Sequence, residues 1–336
     1  MLKAALAALT FTVEYARAVM DPADLAAYPT FAARMAALGT KFNMETEWTS
    51  FDTWSFDGYK QTLWRITGNN QEFDPATATR GPIMLVAGIW DSPMDFVQDE
   101  PCDTVTGVCS QDLPLALHLF NSGFDVFIAN HRGDQREPTA PSQESQLYTR
   151  DQPEFWDFSF QEVGEYDVEA MVGGIVAQRD GYCQQVTVLG HGTSASAAMI
   201  SNSKNISNQV YQDEVDRIVA LSPCGVVTHE SMALGNEDLS TLNMFAALVE
   251  SLFVTTQYFG PYFKEELLAS PVPTGFDPVT FNDIRDYLIA EYDRYTAMFP
   301  LGGGQGKHDE HHLLQMTMEN RFQEFIQTSI YGSGLN

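Results

Sequence analysis

The sequence predicts an α/β protein built on a mainly parallel sheet. Three observations carry that prediction: short apolar runs rich in β-branched residues, helical patterns lying between them, and one compact strand–turn–helix at 186–195, "VTVLGHGTSA". In chain order, "WRIT" (64–67), "IMLVAG" (83–88), "FDVFIAN" (124–130), "VTVLG" (186–190) and "RIVALS" (217–222) read as strands, because near-continuous apolar runs of this length suit a sheet covered on both faces. Helical patterns fall at 111–122, 159–180 and 193–202. Alternation of the two periods gives the α/β class. Beyond about residue 230 strand patterns stop, and the chain reads as helices at 240–257, 261–269, 280–295 and 309–328, with "LGGGQG" (301–306) as a loop. The expected organisation is an N-terminal arm (1–30), a sheet-bearing core (31–229) and a helical cap-like region (230–336).

Composition narrows the partners. The 336 residues include 18 Lys and Arg against 45 Asp and Glu, a net charge of -27 with no basic run, which excludes nucleic acid and anionic membranes as electrostatic partners. A 12% aromatic content supports a packed core. Of the four cysteines, Cys102 and Cys109 bracket a short turn that a disulfide would close, while Cys183 and Cys224 lie beside strands as buried thiols; no C-x-x-C pair offers a cysteine zinc site. The start, "MLKAALAALTFTVEYARA", is signal-like but interrupted by Glu14 and Arg17, so a retained amphipathic helix is an equal reading. The most apolar later stretch, 241–263, holds Glu250, Gln257 and Pro261 and is too broken to span a membrane. Asn205 in "NIS" is a glycan acceptor if the chain is secreted.

The chemistry concentrates at 190–194. Gly190, His191, Gly192, Thr193 and Ser194 occupy the setting of a nucleophile elbow, G-x-S-x-G, with Gly192 where the serine belongs. Ser194 imitates an elbow serine two residues on, although there it reads as a polar first-turn helix residue that satisfies free N–H groups. His191 reads as a packed turn residue. The run Asn130, His131, Arg132 and Gly133 closes a strand and is expected to be structural. In "KHDEHH", His308, His311 and His312 fall at i, i+3 and i+4, a spacing open to a metal site or a base; a solvated helix start is the plainer reading, and no metal is expected.

Five stretches then carry a family resemblance. "DGYKQTLWRI" (57–66), "GFDVFIANHRGD" (123–134), "FWDFSFQEVGEYDV" (155–168), "VTVLGHGTSA" and "RIVALSPCGVV" (217–227) occur in the order and at the spacing of the acid lipases, the gastric and lysosomal acid lipase-like α/β hydrolases, and "RFQEFIQTSIYGSG" resembles the segment leading back from that family's cap. The resemblance implies an α/β-hydrolase-type sheet under a helical lid and, in active members, hydrolysis of lipid or steryl esters. Position by position, it puts the serine at Gly192, the helper glycine at Ser194, and the oxyanion motif at Ala87 and Gly88, with backbone donors near Ile89 and Thr193. It also places the family's catalytic Asp and His in two strand units after the cap, which this sequence does not reach.

The resulting expectation is a degenerate sheet lacking its last two strands and a chain that is not an enzyme. No cofactor is expected. Such a chain would serve as a structural or interaction subunit of a larger assembly, with other protein subunits covering the sheet edge between Arg217 and Ser222. Two alternatives stand beside it. One is a carrier holding a bound lipid in a lid-covered cavity lined by Phe245, Phe253, Tyr258, Phe259, Tyr262 and Phe263. The other is a weak lipid esterase that uses Ser194.

Overall fold

The computed structural model describes residues 31–43, 46–68, 80–88, 93–97, 113–133, 145–149, 152–178, 185–223, 263–269 and a few positions between 271 and 289. Helix α1 (Phe31–Phe42) leads into strands β1 (Glu47–Trp54), β2 (Lys60–Gly68) and β3 (Pro82–Val86). Helix α2 (Leu115–Asn121) and strand β4 (Asp125–Asn130) follow. A one-turn α segment (Phe160–Glu162), a π-helical turn (Val163–Asp167) and α3 (Val168–Ala177) then form a continuous run. Strand β5 (Val186–His191), α4 (Thr193–Lys204), α5 (Gln209–Glu214), β6 (Val215–Leu221) and α6 (Phe263–Ala269) complete the described elements.

Six strands form one sheet in the order β1-β2-β4-β3-β5-β6. β4, β3, β5 and β6 pair in parallel, with Val86 opposite both Ala129 and Gly190. β1 and β2 form an antiparallel hairpin that docks antiparallel on β4, setting Thr62 opposite Asn130. All five strands expected from apolar runs are present. β1 escaped that reading because the aromatics of "EWTSFDTW" fall three apart among polar residues, giving neither an apolar run nor a two-residue alternation, with Phe51 and Trp48 facing opposite cores. The expected helix at 159–180 is interrupted by the π turn, which a 3.6-residue period does not reveal. Its start is a capping box: the Ser159 N–H donates to Glu162 Oε2 (2.7 Å) while Ser159 Oγ accepts from the Gln161 N–H (3.1 Å). Of the cap helices, 263–269 is present and 281, 282, 285, 286 and 289 within the expected 280–295 helix are helical; the helices read at 240–257 and 309–328, the arm and all four cysteines lie outside the described residues.

The sheet buries a different core on each face. Leu63, Met84, Phe127, Val188, Met171 and Trp156 share one; Ile66, Leu85, Ile128, Leu189, Leu117 and Met35 share the other. β6, at the outer edge, is half-exposed to exposed along its length, despite an apolar composition suited to burial.

One polar group penetrates the first core. Arg132, 1% exposed, leaves the end of β4 and donates from Nη1 to Asp57 Oδ2 (2.6 Å), from Nη2 to Asp57 Oδ1 (2.8 Å) and Asp167 Oδ1 (2.6 Å), and from its backbone N–H to Asp167 Oδ2 (2.9 Å). Burial works against the charge, but Asp167 first and Asp57 second outweigh it and hold the guanidinium above its ordinary pKa. The cation sits 4.1 Å from the centre of the Tyr59 ring, whose hydroxyl donates to the Phe155 carbonyl (2.7 Å). Burial, opposed by Arg132, pushes the Tyr59 hydroxyl up; burial does the same to Tyr211, whose oxygen accepts from Ser201 Oγ (2.9 Å).

Replacing Asp167 by Ala strips the principal partner from a buried cation. The expected cost is about 3–5 kcal/mol of unfolding free energy, measured by urea titration. The tyrosines set a second expectation. Their folded-state pKa values are raised, so the unfolded chain loses these protons first as pH rises through about 10. Stability is therefore fully present below that pH and falls above it, read as a declining urea midpoint that Tyr211→Phe partly flattens.

Candidate functional site

The site is a sharp turn at the C-terminal end of the parallel strands. β5 ends at His191, Gly192 takes φ 56° and ψ -122°, and α4 begins at Thr193. This is the backbone of a nucleophile elbow, with the vertex residue in a region that side chains rarely adopt. Its amide donates to the Leu221 carbonyl at the end of β6 (2.9 Å), which pins the vertex to the neighbouring strand.

Small residues allow the turn to form. A Cβ on Gly190 would stand 2.6 Å from the Ala195 backbone, so only glycine lets α4 fold back this tightly on its own strand. A Cβ on Gly164, in the π turn, would stand 2.5 Å from the Ala197 carbonyl. The inward face of α4 is accordingly Thr193, Ser194, Ala195, Ser196, Ala197 and Ala198, all buried. Gly192 differs: nothing among the described residues lies within 4 Å of a Cβ built there, so their packing does not demand glycine at the vertex.

Around the vertex, His191 is half-buried and Thr193 buried. Ser194, 2% exposed, does not cap the helix as expected. Its Oγ donates instead to the Ala87 carbonyl in a short hydrogen bond, which fastens the first turn of α4 to the end of β3. Ala87 and Gly88 are buried one and two steps beyond Val86, which lies opposite Gly190. The structure thus brings together Ala87 and residues 190–194. Ile89, His308, His311 and His312, and the cap aromatics Phe245, Phe253, Tyr258, Phe259 and Tyr262, lie outside the described residues, while Phe263 opens α6.

Other sequence candidates sit nearby. Asn130 closes β4 fully buried, with neither side-chain amide atom hydrogen-bonded among the described residues. His131 is buried with Nδ1 2.7 Å from the Arg132 carbonyl oxygen, and Arg132 belongs to the ion-pair network, the structural role expected of this run. Asn205, the proposed glycan acceptor, is 8% exposed at the end of α4; its Nδ2 donates to the Ser201 carbonyl (3.1 Å) and its Oδ1 accepts from Asn208 Nδ2 (3.2 Å). Leu221 and Gly164 were not singled out from sequence. A backbone carbonyl leaves no residue-type signal, and a glycine's role depends on what packs against it. Among the described residues no cluster of three or more His, Cys, Asp or Glu could hold a metal ion, and no helix is long and apolar enough to cross a membrane.

No protein-family model matches the chain. It is similar to gastric triacylglycerol lipase of Rattus norvegicus, 24% identical over 283 residues covering 80% of this chain and 64% of the relative. The Homo sapiens gastric triacylglycerol lipase is 24% identical over 80% of this chain and 63% of its own length, and lipase member K of Mus musculus is 24% identical over 73% and 58%. The chain therefore spans a little under two thirds of the length of these relatives. Among solved structures, hypothetical protein PA2218 of Pseudomonas aeruginosa superposes with a TM-score of 0.42 at 13% identity, covering 83% of this chain and 73% of its own. The Saccharomyces cerevisiae peroxisomal alpha-beta-hydrolase Lpx1 superposes at 0.37 and 11%, covering 82% and 71%.

The expectation of a chain that is not an enzyme is corrected by these relatives. All three carry the names of lipases, and nothing in the described structure shows inactivity. The inactive reading rested on the side chain at 192, on Ala87 in place of the oxyanion-motif histidine and on the unreached Asp and His, and it does not stand against similarity spread over four fifths of the chain. The parallel sheet, the hairpin flank and the β5–α4 elbow all agree with that similarity. These similarities support a likeness to the acid lipase-like α/β hydrolases.

Proposed function

We propose that this chain is a catalytic hydrolase of carboxylic esters with lipid acyl groups, and that the ester is met at the β5–α4 turn. The observation that carries the reading is the elbow itself: a vertex at φ 56° and ψ -122° between a buried strand and the first turn of a 12-residue helix. A carbonyl placed over Gly192 lies at the positive end of α4, where the Thr193 amide is positioned to stabilise negative charge developing on the ester oxygen.

Gly192 supplies no oxygen for attack. Thr193 and Ser194 carry the nearest hydroxyls in sequence, but both are buried, and the Ser194 hydrogen is committed to the Ala87 carbonyl. On this reading the attacking oxygen belongs to water or to a hydroxyl delivered over the vertex, and the open space above Gly192 admits it.

Hydrolysis of p-nitrophenyl butyrate and of a triglyceride emulsion, followed with fluorophosphonate labelling, tests the proposal. The expected result is turnover above the buffer rate that falls roughly hundredfold in Gly192→Val, which fills the space over the vertex. Loss in Ser194→Ala with a labelled serine assigns the attack to Ser194; retention without a label assigns it to water. Absence of turnover on every ester tried overturns the proposal. The two elbow glycines should also separate in stability. Gly190→Ala meets backbone at 2.6 Å and is expected to cost about 3 kcal/mol or more, whereas Gly192→Ser meets open space and costs about 1 kcal/mol of backbone strain, both read from urea midpoints.

A further inference from the structure

We propose that the tip of the β1–β2 hairpin is an anchor for an uncharged or zwitterionic lipid surface. The tip is the turn Ser55-Phe56-Asp57-Gly58-Tyr59, closed by a Gly58 N–H to Ser55 carbonyl bond (2.9 Å) and a Ser55 N–H to Tyr59 carbonyl bond (2.8 Å), with Gly58 at φ 86°. Phe56, at its apex, is 96% exposed. Trp54 flanks it at 40%. A second segment is laced to the same turn: Tyr59 bridges Ser145, the Gln146 N–H donates to the Gly58 carbonyl (2.8 Å), and Ser145 Oγ accepts from the Leu147 and Tyr148 N–H groups. That segment presents Leu147, 69% exposed, and Tyr148, 37% exposed. Single exposed apolar side chains need no explanation; four drawn to one hydrogen-bonded tip make a patch that is costly to leave in water.

The tip's charges are paired. Asp57 is held by Arg132, and Lys60 lies 3.1 Å from Asp52. Phe56 can therefore enter an apolar layer without dragging an unpaired ion with it. The tip is also rigid, since the ion pairs that fix Asp57 run into the core, so little conformational freedom is lost on docking. The net charge of -27 opposes an anionic surface, which commits the occupant to neutral or zwitterionic lipid. Strand register places the tip on the functional side. Thr62 lies opposite Asn130, the last residue of β4, so residues 55–59 project past the C-terminal ends of the parallel strands, the end at which Gly192 follows β5. Docking through Phe56 would hold that end of the sheet toward the lipid. The inference deepens the hydrolase reading by naming the surface from which its ester is met, but it is read out by binding, so either can fail alone.

The test is flotation of the full chain with phosphatidylcholine vesicles. The wild-type chain is expected to float with the vesicles at both low and high salt. Phe56→Ser is expected to lower partitioning about tenfold, Phe56→Ser with Leu147→Ser further, and Phe56→Trp to keep it. Unchanged circular dichroism melting shows that the variants remain folded. Wild-type chain that stays out of the vesicles, or serine variants that float like wild type, overturns the proposal. Concentration-dependent self-association that Phe56→Ser abolishes, without vesicle binding, overturns it in favour of a contact between copies of this chain.

Discussion

Three separate stretches of this chain meet at a single buried guanidinium. Arg132 draws the β1–β2 turn through Asp57 and the π turn through Asp167 onto the end of β4. A charge removed from water this completely is tolerable only when both carboxylates are in place, because the desolvation cost of an unpaired buried ion exceeds what most single contacts return. The three stretches are therefore expected to order together. The consequences run outward: with Asp167 fixed, the π turn sets Gly164 against Ala197, and that contact seats α4 on the sheet. Through Gly190 and Ser194, the same helix is fastened back to β5 and β3.

The elbow shows how backbone and side chain carry different information. Gly190 is glycine because the Ala195 backbone leaves no room for a Cβ. Gly192 is under no such pressure, since a side chain there would enter open space, and its backbone keeps the strained conformation with an amide bond to Leu221 as support. The expectation of inactivity weighed missing side chains at 192, at Ala87 and after the cap, whereas the described backbone keeps the strand–turn–helix of a nucleophile elbow.

Much of the sheet was legible because its parallel strands are buried on both faces and so are written as apolar runs. β1 was hidden by its edge position, where aromatics spaced three apart among Thr, Ser and Asp mimic a loop. The elbow was legible from Gly190 and the small residues after it. The Arg132 network was not: its partners lie 75 and 35 positions away, and no local pattern links them. Ser194 was placed correctly in the first helical turn, but the partner of its hydroxyl is a carbonyl 107 residues earlier, fixed only by the β3–β5 pairing. β6 was read as a sheet edge with a buried strand's composition, and it is the outer strand among those described.

Asn205 closes α4 with both ends of its carboxamide engaged, one by Ser201 and one by Asn208. Sugar transfer needs that same nitrogen, presented on an extended chain. A sugar on that nitrogen would replace one of its two hydrogens and leave a single N–H to reach the Ser201 carbonyl, at a residue only 8% exposed. A glycan there would therefore have to share a nearly closed helix end with the hydrogen bonds that finish it.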